Sequence, residues 1–251
     1  HSDSHMASLI AEHAAAHGVK TIAYIGFANA LGEAFLTEVQ RFADLKHIRI
    51  TDTERFSPTD NSVTAQVLHL LASKPDAVVI GGSGTPAALP ARALAERGYS
   101  GKIYFNHGVS NNEFVKLCGK ECEGAYVPTG PVMVAAQLTD SNPAKAQALD
   151  FTRRYEAAFG KRTVSIFAAY TGDIGLLLQR AVPVALKRAK PGTPAFREAL
   201  RDALEHVRDL PTSTGVVNMS PQDHVGLDQR ARVMAQIRRG EWRLADEAKS
   251  P

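Results

Sequence analysis

DAVVIGGSGTPAAL, residues 76–89, is the stretch whose reading decides the fold. Its first half, 76–80, is an apolar, β-branched run of strand length. Gly81, Gly82, Ser83 and Gly84 make a turn, and a helix opens at Thr85 with Pro86 where a missing N–H is tolerated. The stretch is one βα unit. In an open α/β sheet, ligands gather beyond the carboxyl ends of such strands.

Outward from this stretch the unit recurs. Upstream, 8–17 reads as a helix stopped by Gly18, and 21–27 (TIAYIGF) as a buried strand that breaks at Ala28, Asn29 and Ala30 before a helix over 32–43. Residues 48–53 alternate in the manner of a strand. FSPTD is a loop, and Asp60 or Asn61 is placed to cap a helix whose Val63, Val67, Leu70 and Leu71 share one face. Downstream, the central helix ends near Gly98. A fourth strand, 102–106 (KIYFN), leads through His107, Gly108, Val109 and Ser110 into a short helix with Phe114, Val115 and Leu117. A fifth strand lies in 124–131 (GAYVPTGP). Residues 7–128 therefore read as a βα repeat with parallel strands and helices on both faces.

Beyond Pro131 the texture changes. A polar connection through Asp140, Ser141, Asn142 and Pro143 leads to an amphipathic helix, 144–159, with Ala148, Phe151, Tyr155 and Phe159 on its apolar side. Residues 164–187 form a long apolar helix carrying Pro183, and 194–207 another, with Phe196, Leu200, Ala203, Leu204 and Val207 inward. TGVVNMSPQDHVGLD reads as a strand and a turn. Residues 232–237 and 242–244 read as a hairpin through Arg239 and Gly240.

The chain has 251 residues, 44% hydrophobic and 22% charged, with a net charge of +3, as an ordinary globular protein does. No apolar run reaches membrane-spanning length. Its 29 Lys and Arg are scattered among 26 acids without a basic, aromatic-interleaved stripe, so a nucleic-acid partner is disfavoured. HSDSHM, residues 1–6, reads as an expression-tag remnant outside the fold, which assigns His1, His5 and His13 to tag or surface. Cys118 and Cys122, a C-x3-C pair, are either two separate thiols or a small disulfide in an exported protein, and no second Cys or His pair supports a metal site.

Expected enzyme motifs are absent. GGSGTP lacks the Lys-Ser/Thr of a phosphate loop, is not G-x-G-x-x-G, and Gly82-Ser83-Gly84 is not the G-x-S-x-G elbow. Asp223 and His224 sit in SPQDHVG, which is turn composition rather than a catalytic pair. By the switch-point rule the loops 27–31, 82–85 and 106–109 line one cleft. Phe27, Asn29, Leu31, Ser83, Thr85, His107 and Gly108 offer an apolar wall with convergent polar groups, and the amides of Gly84 and Thr85 suit a carboxylate. The plainer alternative is that Gly82 and Gly84 only make the turn, that Thr85 only caps its helix, and that His107 caps the next helix or faces solvent.

In order and spacing, VKTIAYIGFANALGEAF, PDAVVIGGSGTPAAL, GKIYFNHGVSNNEF, CEGAYVPTGP, FAAYTGDIGLLLQRA and TGVVNMSPQDHVGLDQRARVMAQIRRGEW resemble the periplasmic (type I) substrate-binding proteins of branched-chain amino-acid ABC transporters. The resemblance implies an α/β fold of two lobes with flavodoxin-like parallel sheets and a periplasmic, non-enzymatic receptor without cofactor. Such a receptor binds a small carboxylate between lobes and delivers it to an ABC transporter permease. A ligand-sensing domain of a receptor or regulator shares this fold, and a cofactor-dependent α/β enzyme is the remaining alternative. On this pattern 7–128 is the second-lobe repeat, 129–210 crosses into the first lobe, and 211–251 returns with the hairpin. The first lobe's own βα units have no counterpart, so the resemblance further implies that Ile166, Phe167, Ala169, Leu177 and Leu178 lie against an omitted segment or a second copy. Tyr170 matches a family position near the ligand, while Asp173 is expected to bond within its lobe. Where the family carries Asp-x-Tyr-Gly, this chain has Asn29, Ala30, Leu31 and Gly32, and the next acidic position falls at Asn106 and His107. With no carboxylate there to meet an α-ammonium, a carboxylate ligand without an amino group is expected.

Overall fold

The computed structural model describes residues 1–245. The chain divides into a larger unit, Ser2–Thr129 with the stretch from Val233 on, and a smaller unit, Gly130–Arg232 joined by His1.

The larger unit is a seven-stranded sheet. Its strands are β1 (Thr21–Phe27), β2 (Arg49–Phe56), β3 (Ala77–Gly81), β4 (Lys102–Phe105), β5 (Tyr126–Thr129), β8 (Val233–Arg238) and β9 (Glu241–Leu244), in the order β2-β1-β3-β4-β5-β8-β9. The first five are parallel, and β8 and β9 add antiparallel at the β5 edge. Strand parity divides the core. Ile22, Tyr24, Val79 and Tyr104 face α1 (Asp3–Ala16) and α2 (Ala30–Leu45), which supply Met6, Ile10, Phe35 and Val39. Ala23, Ile25, Val78, Ile80 and Phe105 face the other way, toward α3 (Thr64–Ala72), α4 (Ala88–Glu96) and α5 (Asn112–Cys118), where Phe105 meets Phe114 edge-on at 5.1 Å. Strands β1 and β3 are apolar on both faces because both faces are covered. The hairpin turns at Arg239 and Gly240, both at positive φ, as a two-residue turn requires.

The start of the chain corrects the sequence reading. Residues 3–6 belong to α1, with Ser2 as N-cap, and Met6 is fully buried in the sheet core. Their tag-like composition gave no sign of a helix. His13 is buried too: its Nδ1 pairs with the Tyr104 hydroxyl at 2.8 Å, and its ring stacks on His17 at 4.0 Å. Neither Asp60 nor Asn61 caps α3, which starts behind Val63; Asp60 instead accepts from the Ser57 amide at 2.8 Å. The central helix opens as a 3-10 turn, Thr85–Ala87, before α4.

Cys118 and Cys122 form a disulfide where α5 runs into the next 3-10 turn, and both are fully buried. Closing so short a loop stabilises by about 2 kcal/mol in the chain-entropy account. Cys118→Ser/Cys122→Ser is expected to lower the urea-unfolding free energy by that amount, and an unchanged midpoint would refute the estimate.

In the smaller unit, α6 (Lys145–Phe159), α7 (Ile166–Leu186) and α8 (Pro194–Glu205) pack with a short antiparallel pair, β6 (Leu210–Pro211) and β7 (Val216–Val217). Ile166 and Ala169, expected to lie open, are buried among Val132, Ala135, Ala148 and Val164. Phe167, 50% exposed, and Leu178, 39% exposed, do lie open, with Ile174 between them on the same stripe. Leu177 packs with Val207, Leu210 and Val217. Ser213 and Thr214 are tied to Asp173 of α7, and the larger unit resumes at Val233.

Candidate functional site

The strand order reverses between β1 and β3, which go to opposite sides of the sheet, so the loops after them diverge and leave a crevice. Phe27 ends β1 and is buried, its ring 5.0 Å from Phe56 at the end of β2. Gly32 lets α2 start close beneath it: a Cβ there would lie 2.0 Å from the Phe27 carbonyl oxygen. Asn29 caps α2, its Oδ1 accepting from the amides of Leu31 (3.1 Å) and Gly32 (3.2 Å), which leaves the side-chain NH2 facing outward from the cap. Leu31 is exposed on the first turn.

The loop after β3 lies against both neighbours. A Cβ on Gly82 would stand 3.2 Å from the Phe27 ring, and a Cβ on Gly108 would stand 2.6 Å from Ser83. Gly84, at φ +62°, donates its amide to the Gly108 carbonyl at 3.1 Å. The Gly84 N–H, which the sequence reading offered to a carboxylate, is thus engaged within the protein. Thr85 does not cap its turn; its amide and hydroxyl, like the Ser83 hydroxyl, have no partner among the described residues.

After β4, Asn106 is 2% exposed and its Oδ1 accepts from the Gly108 amide at 2.7 Å. Its Nδ2 faces Asp3 of α1, near enough to pull that carboxyl's proton affinity down, yet it closes no hydrogen bond of normal geometry. Burial is the larger influence and pushes Asp3 up, with Glu38 adding to the push. Reading residues 1–6 as a tag hid this carboxylate. His107 is largely buried, its Nδ1 without a hydrogen bond among the described residues, and burial lowers its pKa to about 4. It is therefore neutral at pH 7 and neither caps the next helix nor lies in solvent. The first-turn carboxylate of α2, Glu33, is held below the usual range by its hydrogen bond from Arg55.

Phe27, Ser83, Gly84, His107 and Gly108 are thus drawn together in the larger unit, with Asn29, Leu31 and Thr85 on the same loops. Tyr170 lies in the smaller unit, its hydroxyl 2.8 Å from His1 Nδ1 and its pKa raised by burial. Asp173 bonds within its unit, accepting four hydrogen bonds from Ser213 and Thr214. His224 pairs with Glu205 at 3.0 Å, while Asp223 accepts from the amides of Val225 and Gly226. Two cavities, of about 420 and 360 Å³, lie in the smaller unit beside α7 and include no residue of the three loops. Among the described residues no group of ligating side chains could hold a metal ion, and no helix is long and apolar enough to cross a membrane.

Buried neutral histidines make stability depend on acid. Folding lowers His107 to about 4 and His13 to about 3, both chiefly through burial, so the unfolded chain takes up these protons first. Their contribution is complete above about pH 6.5 and is lost as pH falls toward those values, on the order of 3 kcal/mol for His107. Urea midpoints at pH 7.5 and 4.5 should differ, and His13→Gln and His107→Gln should each flatten the profile. A wild-type midpoint that does not move would sink the argument.

A parallel sheet in the order 2-1-3-4-5 gathers polar and aromatic groups at its switch point, the place where open α/β sheets take small ligands. The chain belongs to the periplasmic binding protein family, which matches residues 1–241. An extracellular ligand-binding receptor from Rhodopseudomonas palustris is 38% identical, with a TM-score of 0.93 over 97% of this chain and 68% of that one. Two more distant structures show the same fold. One is a leucine binding protein from Thermotoga maritima (18% identity, TM-score 0.78, 97% of this chain and 65% of that one). The other is an ABC transporter solute binding protein from R. palustris in complex with benzoate (16%, 0.76, 98% and 63%). No curated protein matches. The chain is thus an extracytoplasmic solute-binding receptor with a small-molecule ligand, not an enzyme.

Proposed function

We propose that this receptor binds a small organic carboxylate without an α-ammonium, an aromatic or branched-chain keto acid for example, in the periplasm and delivers it to an ABC transporter permease. The observation that carries the reading is the gathering of the three strand-end loops, 27–31, 82–85 and 106–109, none of which contains a carboxylate. Asn29 and Asn106 both turn their side-chain oxygens inward as caps, while the Thr85 amide and the Ser83 and Thr85 hydroxyls remain available. Burial raises the pKa of Asp3, which disfavours its charged form, and Glu33 pairs with Arg55. An ammonium buried here would lack a counter-charge. Phe27 with Phe56, and Leu31 beyond them, suit an apolar ligand body.

Thermal stabilisation against leucine, isoleucine, valine, their keto acids, phenylglyoxylate and benzoate tests this, since a ligand at 100 times its Kd stabilises by about 2.7 kcal/mol. A keto or aromatic acid should raise Tm and the amino acids should not. Tight leucine binding with no response to the acids would overturn the ligand class.

A further inference from the structure

We propose that Asn106 is a positioning residue for the ligand site, a clasp that fixes the loop after β4 onto the loop after β3. The inference rests on the binding reading above and deepens it.

Three observations carry it. Asn106 is buried at the end of β4, and its side chain reaches forward to the Gly108 amide at 2.7 Å. The same glycine's carbonyl accepts from Gly84 at 3.1 Å, and Ser83 packs where a Gly108 side chain would stand. The Gly108 N–H fixes the orientation of Asn106, because it requires the side-chain oxygen. One buried side chain thus links the end of β4 and, through Gly108, the turn that presents Ser83 and Thr85. Asn106 thereby holds the peptide on which Gly84 is hung. Ser110, also buried in this segment, makes no side-chain hydrogen bond among the described residues and serves as the control.

Amide hydrogen exchange on the whole chain without ligand tests the clasp directly. Asn106→Ala is expected to speed exchange at both Gly108 and Gly84 at least tenfold, while Ser110→Ala leaves Gly84 unchanged. Asn106→Asp keeps an acceptor for the Gly108 amide and should restore protection. Benzoate and phenylglyoxylate titrations well below Tm form the second arm: affinity for whichever binds wild type should fall about tenfold in Asn106→Ala and recover in Asn106→Asp. Wild-type protection at Gly84 in Asn106→Ala overturns the clasp, as does an unchanged affinity. If wild type binds none of the carboxylates, the ligand proposal fails, and the exchange rates alone decide the clasp.

Discussion

Gly81→Ala is expected to destabilise the larger unit by about 3 kcal/mol, through overpacking and the loss of one buried hydrogen bond. The reason lies in Tyr24, which is 1% exposed on β1. Its ring crosses the sheet over the positions of Gly26 and Gly81, and its hydroxyl donates to the Gly32 carbonyl in the first turn of α2 at 2.7 Å. A Cβ on Gly81 would fall 1.7 Å from that hydroxyl oxygen and 2.4 Å from the ring carbon bearing it. No small rotation accommodates this, so the ring must leave its place and abandon Gly32. Urea unfolding followed by the fluorescence of Trp242, the only tryptophan, reads the change in this unit. The decisive comparison is a double-mutant cycle. In a Tyr24→Ala background the space over Gly81 is empty, and Gly81→Ala should then be nearly neutral. An equal loss in both backgrounds would show that the cause lies elsewhere than in the Tyr24 ring.

Asp173→Ala should be at least as damaging to the smaller unit. Asp173 is 6% exposed and accepts from the Ser213 amide and hydroxyl, both at 2.8 Å, and from the Thr214 amide and hydroxyl, at 3.1 and 2.6 Å. Alanine leaves two buried backbone N–H groups without acceptors, and each such group costs about 1–3 kcal/mol. The hydroxyls can turn elsewhere, so we expect a loss of about 4 kcal/mol. Amide exchange at Ser213 and Thr214 should rise with it, whereas Thr214→Val, which removes a single hydroxyl bond, should lose about 1 kcal/mol. If Asp173→Ala and Thr214→Val proved equally mild, the carboxylate would not be the anchor of this turn.

The legible parts of the fold share a physical cause. Residues 21–27 and 77–81 are buried on both faces, so their apolar character is continuous and local, and the βα repeat follows from them. Glycines at the strand ends and the Arg239-Gly240 turn likewise announce themselves. What escaped reading depends on distant partners. Asp3, Met6 and His13 carry no local sign of burial, because their burial comes from strands ahead of them in the chain. The engagement of the Gly84 N–H by Gly108 is a bond between two loops 24 positions apart, invisible to any window of sequence. The three loops could be named from strand positions, but which of their donors remain available could not.

The pairing of the sheet bears on the order in which the chain acquires its structure. Strand β5 shares a single register pair with β4, Tyr104 with Tyr126, but four with β8. The last parallel strand is therefore held mainly by residues that leave the ribosome more than a hundred positions later, after the whole of Gly130–Arg232. While synthesis proceeds, the first four strands can assemble on their own near-neighbour contacts, but the far side of the sheet stays an open edge of unpaired amides and carbonyls, the kind of surface on which nascent chains aggregate. Completion of the hairpin is then the event that closes that edge, so C-terminal truncation before Val233 should be felt first as loss of soluble yield.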